Sequence, residues 1–113
     1  MNELEKNEAL GDLYAYYGKL LTQSQQDYFE DYYYNDLSLG EIADNHGVSR
    51  QAIYDNLRRC RKLLANYEAK LHLKREFGVI EAELTDIANS LRQDEPDQAM
   101  HQIDELLSRM RGE

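Results

Sequence analysis

Between Arg50 and Arg75 the chain has neither glycine nor proline, and Ile53, Leu57, Cys60, Leu64, Tyr67 and Leu71 recur with spacings 4-3-4-3-4. A strand cannot use that period, because its side chains change face at every residue. A helix places all of these positions on one stripe. The repeat is that of a heptad seam, narrower than the apolar face of an ordinary globular helix. A second seam of the same spacing follows: Leu73, Phe77, Ile80, Leu84, Ile87 and Leu91. The step of two residues from Leu71 to Leu73 rotates the stripe by roughly 200° at about 100° per residue. Either a long helix changes partners there, or it bends near Gly78.

The remaining chain also reads as helical. Leu10, Leu13, Tyr14 and Tyr17 give a first helix over about Glu3 to Tyr17, ending near Gly18. Thr22 followed by Gln25 is a capping box that opens a second helix, with Tyr28, Phe29, Tyr32 and Tyr33 as its apolar face and Asn35-Asp36 as its stop. Ser38 and Glu41 form another box opening a short helix through about Asn45. His46-Gly47 is a turn, and Ser49 caps the long helix. Pro96 opens a last helix with Ala99, Ile103, Leu106, Leu107 and Met110 on one side. The expected fold is all-α: a helix-turn-helix module over residues 1–66, its long helix leading into a helical extension over 67–113. The apolar stripes run on to Leu91, further than a four-helix module can cover, which points to a partner for Leu64, Tyr67, Leu71, Phe77, Ile80, Leu84, Ile87 and Leu91. A homodimer or higher homo-oligomer is the default partner.

Within 37–64, LSLGEIADNHGVSRQAIYDNLRRCRKLL, the demands are linked. Ile42 anchors the first helix, Ala43 is small where two helices cross, and Gly47 makes the bend. Val48, Ile53 and Leu57 are expected to pack the second helix back on the first. Two helices so held leave the start of the second one exposed, in a form that fits the major groove. The exposed positions there are Ser49, Arg50, Gln51, Tyr54 and Asp55. Arg and Gln suit bidentate reading of guanine and adenine, while Arg58, Arg59, Arg61 and Lys62 can reach flanking phosphates.

A net charge of −9 seems to oppose nucleic acid, but its distribution does not. Residues 1–48 sum to −8, residues 49–77 to +5 and residues 78–113 to −6. One basic helix-sized segment therefore sits in an acidic chain, and local fields dominate within a Debye length of about 8 Å. His46, His72 and His101 are far apart and Cys60 is alone, so no ligand set has metal spacing and no cofactor is implied. No nucleophile elbow or glycine-rich phosphate loop appears, so the expectation is a binding protein and no enzyme. The tyrosines Tyr32-Tyr33-Tyr34, flanked by Asp31 and Asp36, read as core and half-exposed surface rather than as base-stacking groups. No apolar run has the length of a membrane span, the start Met1-Asn2-Glu3-Leu4-Glu5 lacks the pattern of an export signal, and a lone cysteine fits a reducing compartment, so a cytoplasmic protein is expected.

The pattern of Leu39, Ile42, Ala43, Gly47, Val48, Ser49, Ala52, Ile53 and Leu57 resembles the helix-turn-helix of region 4 of bacterial sigma factors. The acidic, tyrosine-rich stretch from Gln23 to Tyr34, and the whole length with its helical tail, are similar to the YlxM-like helix-turn-helix proteins of Gram-positive bacteria. That resemblance implies a sigma-like helix-turn-helix fold, cytoplasmic residence, no catalytic residues, and an accessory role in the signal recognition particle pathway. The readings it leaves open are DNA binding, with a regulatory role, or recognition of protein or ribonucleoprotein components of the targeting machinery, its RNA included.

Overall fold

A computed structural model describes residues 3–113, with side chains from Glu8 onward. The described residues form helices α1 (Glu3–Tyr17), α2 (Gln23–Tyr33), α3 (Leu39–His46), α4 (Arg50–Leu71), α5 (Leu73–Arg92) and α6 (Pro96–Met110), with a 3-10 turn at Gly18–Leu20. No strand occurs among them. The local signals hold at the starts of α2, α3, α4 and α6. Thr22 and Ser38 accept hydrogen bonds from the backbone of Gln25 and Glu41, whose side chains return the bond. Ser49 accepts from Ala52 N at 3.0 Å, and Pro96 stands in the first turn of α6. The three side-chain caps, Thr22, Ser38 and Ser49, each satisfy a backbone donor that a helix start leaves orphaned, and Pro96 removes one.

The chain divides into two compact units, the first ending at Lys74 and the second running Arg75–Glu113. In the first unit α4 packs against α1, α2 and α3. One part of its core joins Tyr17, Leu21, Phe29, Cys60 and Leu64, with Leu10, Leu13, Tyr14, Tyr33 and Tyr67 packed around them. Tyr14 stacks on Phe29 with ring centroids 4.4 Å apart and 7° between planes. That ring leaves no room at the next turn: a Cβ on Gly18 would stand 2.8 Å from it, so glycine is needed there. The other part joins Ile42, Ala43, Ile53 and Leu57, covered by Tyr28, Tyr32, Leu37 and Leu39.

Two expectations need correction. The helix neither runs through Leu71 nor bends at Gly78, which lies inside α5. It ends at Leu71, and His72 takes a left-handed backbone (φ 58°) before α5 starts at Leu73. The break thus falls between the two seams. Tyr17 holds it: its hydroxyl donates to Glu68 Oε1 at 2.6 Å and accepts from Leu73 N at 3.0 Å, while Lys74 N donates to the same Glu68 oxygen at 3.0 Å. The first two donors of α5 are capped by side chains from α1 and α4. The second correction concerns the partner seam. Leu64 is 0% exposed in the core of the first unit and Tyr67 packs beside it, so α1 and α2, and not a second subunit, cover these two positions. In the second unit Ile87 is likewise buried, against Ala99 and Leu106, with Ile80 and Ile103 alongside. Leu71, Phe77, Leu84 and Leu91 remain about half exposed.

Candidate nucleic-acid interface

The bend between α3 and α4 is built by Gly47, whose φ of 68° favours a residue without Cβ. Gly47 N bonds to Ala43 O, and Val48 N bonds to the same oxygen at 3.1 Å, closing the end of α3. Val48 works through this backbone bond. Its side chain is 39% exposed, so it stands at the margin of the packing of α3 on α4, whose buried centre is Ile42, Ala43, Ile53 and Leu57. With Ile53 and Leu57 turned inward and α3 seated against them, the first turns of α4 face solvent on their other side.

Ser49, Arg50, Gln51, Tyr54, Arg58, Arg59, Arg61 and Lys62 are all exposed. Arg50, Gln51 and Tyr54 come together with Leu39 around an open cleft of about 490 Å³. Arg50 lies across the start of α3, since a Cβ on Gly40 would stand 3.6 Å from its Nε. At about 100° per residue, Gln51, Asp55, Arg58 and Lys62 form the ridge opposite the buried stripe, with Tyr54 and Arg61 on one flank and Arg59 on the other. Ser49 to Lys62 covers about 20 Å of helix. Among the described residues, no carboxylate lies within ion-pair distance of Arg50, Arg58, Arg59, Arg61 or Lys62. Further along, Lys74 does have such a partner in Asp12, at 3.8 Å.

Asp55, expected only to be exposed, engages a candidate base reader: Gln51 Nε2 donates to its Oδ1 at 2.9 Å. The i, i+4 spacing was the available signal. Cys60 is buried, with its thiol pushed up to about 11 by burial. Among the described residues no group of His, Cys, Asp or Glu could hold a metal ion, and no helix is long and apolar enough to cross a membrane.

The family model UPF0122, described as "Putative helix-turn-helix protein, YlxM / p13 like", matches residues 4–106. The UPF0122 protein of Limosilactobacillus reuteri is 50% identical over 97 residues, 86% of each chain. Those of Limosilactobacillus fermentum and Lactiplantibacillus plantarum are 57% identical over 75 residues (66% of each chain) and 46% identical over 91 residues (80% of this chain, 79% of the relative). With a bend, caps and exposed second helix of the kind described above, the chain belongs to the UPF0122 family of YlxM/p13-like helix-turn-helix proteins.

Proposed function

We propose that this protein binds DNA through the N-terminal half of α4, as a homo-oligomer in the cytoplasm, with a regulatory role. The observation that carries the reading is the row of exposed cations on α4 that have no carboxylate partner among the described residues, in a molecule otherwise rich in acids. Cations along the exposed sides of one rigid helix favour a polyanion, whose condensed counterions they release. In this reading Arg50, Gln51 and Tyr54 meet base edges, and Arg58, Arg59, Arg61 and Lys62 meet phosphates. Ser49 holds the helix start that a phosphate would approach.

The test is duplex binding over a salt series. Arg50→Ala changes which sequences are preferred. Arg58→Ala lowers affinity for all sequences alike and flattens the salt dependence by about one unit of slope. Equal effects of the two substitutions on every sequence contradict the division of labour.

A second reading is favoured by the acidic flanks, which sum to −8 and −6 and would repel a long duplex. Here the same helix face recognises the RNA of the signal recognition particle, or the acidic faces meet a basic protein of the targeting machinery, giving an accessory role in that pathway. Retention of that RNA or of the targeting GTPase, with no duplex binding, selects this reading.

A further inference from the structure

We propose that the C-terminal helical hairpin pairs with the same hairpin of a second copy, through one apolar face formed by Leu84 and Leu91 of α5 and Met100, Leu107 and Met110 of α6. This deepens the homo-oligomer part of the proposed function by naming the surface.

The hairpin has two unlike sides. Ser90 Oγ donates to Gln102 Oε1 at 2.7 Å, and Arg109 pairs with Glu83, so the two helices run antiparallel with polar contacts closing one side. Between the helices lie Ile87, Ala99 and Leu106. At about 100° per residue, Ser90 and Glu83 fall on one side of the Ile80–Ile87 line, and Leu84 and Leu91 on the other. The same geometry on antiparallel α6 sets Gln102 and Arg109 on the first side of Ala99 and Leu106, and Met100, Leu107 and Met110 on the second. Leu84 and Leu91 are 53% and 54% exposed, and the three α6 residues are also exposed.

A hairpin with three buried apolar side chains is too small to hold its own core, since chains below about 40 residues usually need oligomerisation or another staple. Five half-exposed large side chains leave on the order of 500 Å² of apolar surface, within the range of the largest patch on a typical monomer and often functional at that size. Doubled by a twofold axis, the buried area is about 1,000 Å², where specific interfaces begin. Two hairpins joined by such faces make a four-helix bundle, which encloses the apolar stripes of all four helices in one core. The same patch meets itself, so one surface suffices for both copies.

The full-length chain is measured by size-exclusion chromatography with light scattering. The expected mass is about 27 kDa, twice the 13.3 kDa chain, and Leu84→Asp brings it to that of one chain with helix content by circular dichroism unchanged. A flexible bis-thiol-reactive cross-linker joins Leu84→Cys into a dimer, whereas Asp86→Cys, on the other side of α5, and the wild type with its buried Cys60 are not joined. The cysteine variants decide the matter even if Leu84→Asp loses helix. A monomeric wild type at tens of micromolar overturns the proposal, as does cross-linking through Asp86→Cys in place of Leu84→Cys. No nucleic acid enters the experiment. A monomer that binds duplex therefore ends this inference alone, and a dimer that ignores duplex ends the DNA reading alone.

Discussion

At the scale of single residues, two side chains set behaviour that neither burial nor charge alone explains. Asp55 is an acid inside the cationic ridge of α4, and it holds the Gln51 amide. Under the proposed function its charge opposes a phosphate on this ridge, and its bond to Gln51 orients that amide. Asp55→Asn is expected to raise affinity for duplex of any sequence several-fold and to narrow the gap between preferred and random sites, as read by competition binding. Loss of affinity would show that Asp55 contacts the ligand, for instance by accepting from a cytosine amine. Tyr14 acts on stability. Burial first, then the neighbouring Glu30 carboxylate to which it hydrogen-bonds, pushes its hydroxyl from 10.0 up to about 12. The folded state prefers the neutral phenol, so this contribution is complete below pH 10 and is lost as pH rises towards 12. Urea unfolding should show stability falling across that window. Tyr14→Phe should make the fall shallower; an unchanged fall would assign it to other tyrosines, such as Tyr17, whose hydroxyl is also held protonated by burial.

At the scale of elements, the junction of α4 and α5 is the least ordinary feature. His72 sits at φ 58°, where a Cβ costs about 1–2 kcal/mol, and the Tyr17–Glu68 pair holds the backbone there. His72→Gly is expected to keep or raise stability by up to about 1 kcal/mol, and His72→Val to lower it by about 1–2 kcal/mol, in chemical denaturation. A helix that ran straight through would show the reverse order. The phase slip between Leu71 and Leu73 announced this junction in the sequence, but not its form. A slip shows that the stripe changes face, and a cap supplied by Tyr17, 55 residues upstream of His72, has no local signature. Capping boxes were legible because their chemistry lies within four residues. The seam was legible as apolar and unreadable as to partner: Leu64 and Leu84 have the same heptad spacing, yet the first meets Tyr17 and Phe29 and the second meets solvent. Val48 shows the same limit, since its pattern position is marked by a backbone bond to Ala43 as well as by an apolar side chain that stays partly exposed.

At the scale of the whole molecule, an acidic chain carries one basic helix, and the account depends on that helix meeting a polyanion. The positions offered as contacts could be picked out because motif spacing fixes which side of α4 faces outward. Their exposure and lack of carboxylate partners came only with the fold, since ion pairing depends on neighbours distant in sequence. The most direct measurement is the affinity of the wild-type protein for duplex DNA between 50 and 200 mM salt. Four to five phosphate contacts predict that log K falls linearly with log salt, with a slope of about −3 to −5. A slope near zero, or no duplex binding at the low-salt end, would contradict the account.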